Sequence, residues 1–446
     1  MRRAATRTSI MRRSRRVGDI VAALILALYR IAGFVFRPLV PLLISARVAQ
    51  GKEDRARTSE RYGHASRPRP PGRLIWVHAA SVGETNAVLP LIARLTGEGF
   101  QVVFTSTTLT SANIAAARLP KGAFHQFGPV DITPYVDRFL EYWKPELAIF
   151  VESELWPMII RRLERHTIPL VVVNARLSER SFRGWRRFGG TADALFGKIA
   201  LCLAQSEQDA AHFAALGARH VSVSGNLKFD APPLVADLRE VERMTTAIGG
   251  RPVWIAASTH EGEEAIVASA HRVLRERYPQ MLTIIIPRHP ERGAAVRATL
   301  AAERLAVAQR SRGEPLLREI DIYLADTLDE MGLFYRLAPI AFLGGSLTPN
   351  GGHNPIEPAR LDVAVLHGPH VHNFAGLFAR IDHACPAKAL VNAGDLAAAV
   401  GALLADPAAT KARAAATLAA LAPLSGALDM TMQELRPYLD GPRLIP

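Results

Sequence analysis

Cysteine is scarce in this chain, and several common site patterns are missing from it. The 446 residues include two cysteines. Cys202 and Cys385 have no second thiol nearby, which argues against a disulfide framework and a Cys-x-x-Cys metal site and indicates a reducing compartment. No Gly-x-Gly-x-x-Gly or P-loop pattern follows a predicted strand, which argues against a dinucleotide dehydrogenase and an ATPase. The histidines lack zincin spacing and no Asp-x-Asp motif is present, so we predict neither a metal site nor a cofactor.

The composition is that of a folded, basic protein. Lys and Arg number 54 against 41 Asp and Glu, and 49% of residues are hydrophobic, so the chain can form two domains with substantial cores. The basic excess is densest in residues 1–16, a leader that is expected to favour anionic surfaces. No basic groove with interleaved aromatic residues accompanies it, so we predict no nucleic-acid partner.

Residues 17–45 are predicted to anchor the chain to a membrane. The apolar stretch 17–36 approaches the roughly 20 residues of a membrane span only if Asp19 and Arg30 lie at its ends. Arg30 and Arg37 interrupt it and no small-residue cleavage site follows, which argues against a secretory signal peptide. Because basic residues flank both ends, we predict a helix embedded in the cytoplasmic leaflet, with membrane lipids as partners. A spanning helix and a buried core helix are the alternatives.

From Arg73 onward, short apolar runs alternate with amphipathic stretches, which predicts parallel sheets covered by helices. A run in residues 251–263 echoes residues 76–84, so the pattern restarts in the second half. The other predicted strands are residues 74–78, 102–105, 147–151, 170–174, 199–204, 221–223, 282–286, 322–324, 340–343 and 363–366.

The sequence therefore predicts an α/β fold with two Rossmann-like αβα domains. The first domain is expected over residues 46–230 and a linker over 231–250. The second is expected over 251–446, including the C-terminal helices. Ligands of parallel sheets bind beyond the carboxyl ends of the strands, so the predicted site lies in a cleft between the two domains.

A glycine-dense loop in the second domain predicts a nucleotide site. Gly344 and Gly345 follow an apolar strand, and the loop ends in Asn354, Pro355, Ile356 and Glu357. Backbone N–H groups and a helix start can bind a phosphate, while a carboxylate can bind ribose hydroxyls. A mobile surface loop is the alternative.

Polar residues at strand ends of the first domain suggest acid–base chemistry. Glu84 begins a helix after Gly83, where the helix dipole favours the ionised form, so it can act as a base or simply complement the dipole. Glu152 follows a buried strand and can orient a hydroxyl or a basic side chain, while Glu154 can be a helix cap. Lys228 can stabilise negative charge in a transition state, with a solvated linker lysine as the alternative.

Two strand ends of the second domain suit an anionic leaving group. Ser258 and Thr259 offer hydroxyl and N–H groups at a helix start. Pro287 and Arg288 follow another predicted strand, where the guanidinium can bind a phosphate.

Seven collinear segments carry a resemblance to a known family. They are residues 78–84, 152–157, 174–178, 225–230, 257–264, 287–292 and 351–358. Together they resemble the 3-deoxy-D-manno-octulosonic acid (Kdo) transferases of lipopolysaccharide assembly, a membrane-associated family with the two-domain GT-B glycosyltransferase fold. The similarity extends from about the anchor to the last helices.

The resemblance implies a reaction and a place in the cell. It implies inverting transfer of Kdo from CMP-Kdo to the lipid A precursor lipid IV(A), with release of CMP and without a metal ion. The N-terminal domain would bind the acceptor and the C-terminal domain CMP-Kdo. The catalytic domains would lie on the cytoplasmic side of the cell inner membrane.

The resemblance also implies roles for individual residues. Glu84 would be the proton acceptor, and Glu152 and Lys228 would stabilise the transition state. The implied CMP contacts are Pro287, Arg288, Leu328, Asp329, Glu330, Asn354, Pro355, Ile356 and Glu357. Where the family has Gly-Asp-Thr-Met-Gly-Glu, this chain has residues 325–330 as Ala-Asp-Thr-Leu-Asp-Glu, which alters the backbone approach to the nucleotide at two glycine positions.

The acceptor implied by the resemblance is a phosphorylated glycolipid. The basic segment 47–69 can bind its phosphates, with general attraction to anionic lipid as the alternative. Two other functions stay open: a GT-B glycosyltransferase that uses another nucleotide sugar, and a non-catalytic protein that binds nucleotide sugars or lipids.

Overall fold

The computed structural model describes residues 20–230, 233–387 and 389–441. These residues form two compact units. The first contains the described residues up to Asp230 and those from Leu424 onward, and the second ends at Pro423. Each unit has its own sheet, and the pairings in both sheets are parallel. The predicted α/β fold with two parallel-sheet domains is therefore confirmed.

The first domain contains a seven-stranded sheet with the order β3-β2-β1-β4-β5-β6-β7. Its strands are β1 (Leu74–His78), β2 (Gln101–Ser106), β3 (Ala123–Phe127), β4 (Leu147–Val151), β5 (Leu170–Ala175), β6 (Ile199–Ala204) and β7 (Val221–Val223). Its helices before the second domain are α1 (20–36), α2 (Val40–Ala49), α3 (Val82–Gly97), α4 (Leu109–Arg118), α5 (Thr133–Trp143), α6 (Pro157–Arg165), α7 (Glu179–Arg186), α8 (Gly189–Phe196) and α9 (Glu207–Ala215).

The second domain contains a six-stranded sheet with the order β10-β11-β9-β8-β12-β13. Its strands are β8 (Val253–Thr259), β9 (Leu282–Pro287), β10 (Val307–Gln309), β11 (Ile322–Leu324), β12 (Ile340–Leu343) and β13 (Ala364–His367). Its helices are α10 (Leu238–Ile248), α11 (Glu263–Arg277), α12 (Gly293–Ala302), α13 (Met331–Tyr335), α14 (Ile356–Ala359), α15 (Ala375–Ala384), α16 (Ala393–Ala405) and α17 (Pro407–Leu421).

Alternation along the strands explains why both faces of the first sheet are covered. Trp76 and Phe150 belong to one apolar cluster, while Ile75, Val77 and Ile149 belong to another. Successive side chains of a strand point to opposite faces, so each apolar run supplies both clusters. Continuous apolar strands of this kind are typical of a parallel sheet between helical layers.

The last helix, α18 (Ala427–Leu439), packs in the first domain rather than the second. Its residues Met432, Leu435 and Leu439 are buried in the apolar cluster that contains Ile75 and Val77. The Asp230 carboxylate accepts hydrogen bonds from the N–H groups at the start of this helix. The compact units thus differ from the predicted bounds, which placed all the C-terminal helices in the second domain, because this apolar face completes the first core.

Most of the predicted linker is an ordered helix of the second domain. Helix α10 starts at an Asp237 cap and ends at Gly249, whose φ of 63° lies in the left-handed region. Met244 and Ile248, one turn apart, are buried. The sequence predicted a linker here because polar and proline residues surround these two apolar positions.

The N-terminal helical segment lies against the first domain along one side. The segment Ile20–Ala49 is long and apolar enough to cross a membrane, with 11% of its most apolar window buried. Leu26 and Ile44 are buried, and the Tyr29 hydroxyl donates to Asp131 at 3.0 Å. Its other side exposes large apolar side chains, including Phe34 and Leu42, each 66% exposed. The same length and composition test is met by Pro407–Leu439, whose helices contribute residues to the domain cores.

Candidate active site

The predicted catalytic residues of the first domain lie along one edge of its sheet. Glu84 is in the first turn of α3, directly after β1. Glu152 follows β4, and Lys228 lies in the short helical turn Leu227–Phe229 after β7. Because every pairing in this sheet is parallel, the carboxyl ends of these strands meet at the same edge.

Glu84 is held by its own helix start and is 8% exposed. The Ser81 hydroxyl donates to Oε1 of Glu84 at 2.8 Å, and the Ala80 N–H donates to Oε2 at 2.8 Å. Burial raises the pKa of Glu84, these hydrogen bonds lower it, and the carboxylates of Glu152 and Glu154 raise it again, with a net upward shift. A buried carboxylate with a raised pKa has the properties of a general base rather than those of an exposed dipole-complementing acid.

Glu152 and Lys228 form an ion pair across the strand ends. The Lys228 Nζ donates to Oε1 of Glu152 at 2.9 Å. Glu152 has a φ of 57°, in the left-handed region that costs a non-glycine residue roughly 1–2 kcal/mol. Its N–H donates to the Val173 carbonyl at 3.0 Å, which fixes this conformation. Lys228 is therefore ion-paired at this sheet edge, with 35% of its side chain exposed.

Asn174, at the end of β5, positions the turn that carries Lys228. Its side-chain Oδ1 accepts from the Leu227 N–H at 3.0 Å, and its φ is 52°. Its backbone carbonyl accepts from the Gln205 amide, which in turn accepts from Asn226 at 3.0 Å. The amide nitrogen of Asn174 is buried and has no partner among the described residues.

A second acid, Glu154, is organised by His78. Trp76 Nε1 donates to Thr105 Oγ1 at 2.8 Å, and His78 Nδ1 lies 2.8 Å from the same oxygen. Because an indole only donates, the hydroxyl proton can go to His78 Nδ1, which leaves a proton on Nε2, 3.8 Å from Glu154 Oε2. Burial alone would raise the pKa of Glu154, but the nearby His78 ring and the Trp156 hydrogen bond lower it, and the net shift is downward. Sequence patterns predicted no role for His78 and only a helix cap for Glu154.

The predicted donor residues of the second domain also share one sheet edge. Adjacent strands β11, β9, β8 and β12 each lead into one of the predicted segments. In that order, the segments are Leu328–Glu330, Pro287 with Arg288, Ser258 with Thr259, and Gly344 with Gly345.

The glycine loop, which was predicted to bind a phosphate through its N–H groups, uses several of these groups for internal hydrogen bonds. The carboxylate of Glu263, which is fully buried, accepts from the N–H groups of Gly345, Ser346 and Leu347 at 2.6–3.1 Å and from that of His260 at 2.9 Å. These N–H groups are consequently not free to bind a phosphate. Glu263 instead fixes the loop against the start of α11, a role that spacing in the sequence does not reveal.

Gly344 is required by close packing at this junction. A Cβ at this position would lie 2.6 Å from the Ser258 carbonyl oxygen and 2.7 Å from the Thr259 Cα, so no larger residue fits. Ser258 itself has a φ of 56°. The strand end therefore combines a strained residue with a contact that only glycine allows.

The neighbouring acid, Glu264, holds the loop after β9. It accepts from Thr259 Oγ1 at 3.0 Å and from both terminal nitrogens of Arg292, at 2.9 Å and 3.3 Å. The Arg288 N–H donates to the Thr259 carbonyl at 3.0 Å, while its side chain is exposed. Two adjacent carboxylates at the start of α11 thus fix two different loops of the predicted donor site.

The predicted ribose partner, Glu357, accepts from the Asn354 amide at 3.5 Å. Burial raises the pKa of Glu357, whereas Asn354 and the Arg288 charge lower it, and the net shift is upward. His353 Nε2 lies 2.9 Å from His260 Nε2. Burial and the Arg288 charge lower the pKa of His353 to about 4, so this ring is neutral at pH 7. Across residues 20–230, 233–387 and 389–441, no three His, Cys, Asp or Glu side chains are grouped so as to hold a metal ion.

The segment after β11 presents two exposed residues and one fixed acid. Leu328 is 73% exposed, and Asp329 is exposed with a φ of 61°. Glu330 pairs with Arg310 at 2.5 Å and also accepts from Thr327. A left-handed conformation is the one that glycine adopts without strain, so Asp329 occupies a backbone position suited to the glycine of the family pattern.

The basic segment 47–69 is largely committed to internal contacts. Arg47 and Arg61 both pair with Glu53, at 2.9 Å each. Arg57 pairs with Glu60, and Arg69 donates to backbone carbonyls. These arginines hold the segment on the domain, which leaves fewer charges for an acceptor phosphate than the sequence predicted.

Comparison with known proteins identifies the family. Residues 56–231 match the profile of the 3-Deoxy-D-manno-octulosonic-acid transferase (kdotransferase) family. A 3-deoxy-D-manno-octulosonic acid transferase from Haemophilus influenzae is 34% identical over 91% of this chain and 97% of its own length. A protein of the same description from Bordetella pertussis is 36% identical over 85% of this chain and 91% of its own length.

Two solved structures share the fold. UDP-GlcNAc 2-epimerase from Neisseria meningitidis superposes with a TM-score of 0.57 at 15% identity, covering 83% of this chain and 100% of that chain. A glycosyltransferase from Rickettsia africae gives a TM-score of 0.54 at 12% identity, covering 84% of this chain and 100% of that chain. The fold agrees with the predicted GT-B architecture, and the extent and identity of the curated relatives place the chain among glycosyltransferases: it belongs to the 3-deoxy-D-manno-octulosonic acid transferase family.

Proposed function

We propose that the protein transfers Kdo from CMP-Kdo to the lipid A precursor lipid IV(A), with inversion at the anomeric carbon. The observation that carries this proposal is the buried Glu84 carboxylate beside the Glu152–Lys228 ion pair at one sheet edge. The family of the chain and the name of its relatives support Kdo as the transferred sugar. The reaction would belong to the core assembly of lipopolysaccharide.

In the proposed mechanism, Glu84 accepts the proton of the attacking acceptor hydroxyl. The hydroxyl oxygen forms the new bond to the anomeric carbon as the bond from that carbon to the CMP phosphate oxygen breaks. CMP leaves with the bonding electron pair. Inversion follows because attack and departure take place on opposite faces of the sugar. The upward shift of the Glu84 pKa favours proton acceptance.

Glu152 and Lys228 would act on the charges that develop during transfer. Lys228 supplies a cation for negative charge, and Glu152 holds that cation and can stabilise positive charge at the anomeric centre. A CMP sugar carries a single phosphate leaving group, so the proposal assigns no metal ion to the reaction. The second domain would supply Arg288 and the exposed residues Leu328 and Asp329 to CMP, with Asn354–Glu357 near the ribose.

The helical segment Ile20–Ala49 would hold the enzyme on the cytoplasmic face of the inner membrane. Because one side of the segment packs on the first domain and the other is apolar and exposed, we favour a helix embedded in one leaflet over a spanning helix. This arrangement would bring the acceptor lipid and the enzyme to the same surface.

The test is incubation of detergent-solubilised protein with CMP-Kdo and a tetraacylated lipid A precursor, followed by mass spectrometry of the lipid. We expect a mass gain of one or more Kdo units, which would also count the transfers. An unchanged lipid, with folded protein and an active control enzyme, would contradict the proposal. Turnover with UDP sugars instead would indicate another donor, and the absence of all turnover would indicate a binding protein.

A further inference from the structure

Helix α7 presents an exposed row of arginines at the catalytic edge of the first domain. The helix follows β5, and Arg180, Arg183 and Arg187 are spaced at i, i+3 and i+7. This spacing places them on one face of a helix, since Arg187 continues the helical backbone with φ of −63° and ψ of −25°. Arg176, just before the helix, and these three arginines are exposed.

The opposite side of α7 fixes the helix to its domain. Phe182 stacks on His212 with ring centroids 4.0 Å apart, and Trp185 contacts Phe196 edge-on at 5.3 Å. Ser178 caps the helix by accepting from the Ser181 N–H at 3.2 Å. The arginine face is therefore held in a defined orientation by aromatic packing and a cap.

Few acids neutralise this face. Arg183 pairs with Glu179 at 3.4 Å, and Glu179 is also 3.5 Å from His212. The side chains of Arg176, Arg180 and Arg187 have no hydrogen-bond or ion-pair partner in the part of the chain that the structure describes. Like charges one turn apart on a helix destabilise it by about 0.2–0.5 kcal/mol per pair. A bound anion would offset this cost.

The start of the arginine face is linked to the turn that carries Lys228. Arg176 is two residues beyond Asn174, whose side chain accepts from the N–H of Leu227, the neighbour of Lys228. The Leu177 N–H, donating to Asp209 at 3.0 Å, fixes the chain between Asn174 and the helix. An anion bound at Arg176 would thus lie at the end of β5, beside the turn that carries Lys228.

We propose that Arg176, Arg180 and Arg187 bind a phosphate of the phosphorylated glycolipid acceptor, an inference that rests on the proposed function. Guanidinium groups match phosphate oxygens through paired hydrogen bonds. We assign phosphate binding to these arginines rather than to the segment 47–69, because the arginines of that segment are largely committed to internal contacts. A helix that lies in a bilayer presents its apolar side outward, whereas α7 turns Phe182 inward and arginines outward, so the discrete phosphate is favoured over the bilayer surface.

The test compares acceptors with and without phosphate in neutral detergent micelles. In the R176Q/R180Q/R187Q variant, we expect the KM for the phosphorylated acceptor to rise about tenfold or more, with kcat and the KM for CMP-Kdo within about twofold of wild type. With an acceptor from which the phosphates have been removed, variant and wild type should have equal KM values. That equality distinguishes loss of a phosphate contact from general damage to the fold, which would impair both acceptors.

A matched variant removes the same charge elsewhere on the first domain. Arg161, Arg165 and Arg219 are exposed, and Arg165 and Arg219 lie near the strand starts, away from the catalytic edge. The R161Q/R165Q/R219Q variant should keep the wild-type KM for both acceptors. An equal rise in KM for both triple variants would show that net charge alone matters and would overturn the assignment.

The remaining outcomes distinguish binding of bilayer lipid from binding of the acceptor phosphate, and both from absence of the reaction. If R176Q/R180Q/R187Q loses binding to phosphatidylglycerol vesicles without acceptor, yet keeps its acceptor KM in micelles, the arginines bind lipid and the assignment is overturned. Transfer with an unchanged KM and unchanged vesicle binding would overturn the assignment alone. Absence of transfer by the wild type would overturn the proposed function, and the phosphate assignment with it.

Discussion

At the residue scale, Glu84 makes the sharpest prediction. The Glu84→Gln variant should lose about 10²–10⁴-fold in kcat, because the amide cannot accept the acceptor proton. Its affinity for CMP should stay near wild type, since the predicted nucleotide residues belong to the other domain. Steady-state kinetics and CMP titration measure the two effects. Glu141→Gln, an exposed acid of the same domain, serves as control. Weakened CMP binding in folded Glu84→Gln would contradict the assignment.

The acidic limb of the pH profile should depend on Glu154. Glu84 acts as a base when deprotonated, so activity should fall as the pH drops through its pKa. Burial and the charges of Glu152 and Glu154 raise this pKa, while two hydrogen bonds lower it. Lys228 also faces this edge but is paired with Glu152. In Glu154→Gln one raising charge is removed, so the limb of kcat/KM should move to lower pH. An unmoved limb would show that Glu154 does not act on Glu84.

Asp329 tests whether the backbone conformation limits donor binding. Its φ of 61° is left-handed, so Asp329→Gly should relieve about 1 kcal/mol of strain and remove the side chain from the exposed turn. We expect a lower KM for CMP-Kdo. Asp362→Gly is a matched control because Asp362 has a φ of 58° in another turn. Asp362→Gly should leave the KM for CMP-Kdo unchanged. An equal fall in this KM in both variants would show that the effect does not arise at the donor site.

The sequence identified several polar residues that lie at the strand ends, but it did not reveal which distant residues they contact. Glu84, Glu152 and Lys228 were chosen from the sequence, and the structure brings them to one edge. Their roles stay predictions. His78 and Glu263 were missed, since each contacts a segment distant in the chain. Such pairings arise from tertiary packing, and no local spacing encodes them.

At the element scale, Glu263 joins two loops and gives a structural prediction. Its carboxylate accepts from four N–H groups, of His260, Gly345, Ser346 and Leu347. In Glu263→Gln one oxygen is replaced by an NH₂ that faces these donors, which should cost about 2–4 kcal/mol locally. Amide hydrogen exchange at residues 345–347 should accelerate, and the KM for CMP-Kdo should rise.

The control for this prediction is the adjacent exposed acid. Glu261→Gln should leave both exchange and KM at wild-type values, because Glu261 is exposed and lies before the helix start. Unchanged exchange in Glu263→Gln would mean that the glycine loop is held by other contacts, among them the Gly344 N–H to the Ala257 carbonyl at 2.8 Å.

The strands were predicted well where apolar residues run continuously. The predicted ranges of β1, β4, β6, β7, β11 and β12 coincide with the structure, while β3 and β10 were not predicted. In β3, His125 and Gln126 interrupt the apolar pattern, yet Gln126 is buried because it bonds to Trp143 and to the His64 carbonyl. Polar residues satisfied by distant partners are compatible with a buried strand, but a sequence pattern does not show those partners.

At the scale of the whole molecule, the chain returns to its first domain after building the second. Apolar residues of α18 complete a core begun by β1, so contacts between distant parts of the sequence define the domain. The sequence pattern shows that α18 is a helix with an apolar face. It does not show which of two similar α/β layers that face covers, because both layers offer apolar surface of the same kind.

The anchor segment makes the last prediction. Leu24, Phe34 and Leu42 are 59%, 66% and 66% exposed on the side of the segment away from the domain. Burial of each such side chain in a bilayer contributes about 1.5–3 kcal/mol, so the L24Q/F34Q/L42Q variant should bind vesicles of phosphatidylglycerol and phosphatidylethanolamine at least about a hundredfold more weakly. Co-sedimentation measures this change. Leu26 and Ile44, which pack on the domain, are untouched, so the fold should be kept.

A matched variant and a transfer assay serve as controls for the anchor prediction. V235Q/L238Q/L317Q replaces three exposed apolar residues of the second domain, 81%, 72% and 49% exposed, and should bind vesicles like the wild type. In micelles, the anchor variant should keep its kcat, because the catalytic edge is formed by other elements. A helix that spans the bilayer would keep most of its binding, since its remaining apolar residues would still be enclosed by lipid. Strong vesicle binding by L24Q/F34Q/L42Q would therefore contradict a helix that lies on the domain and is embedded by one face.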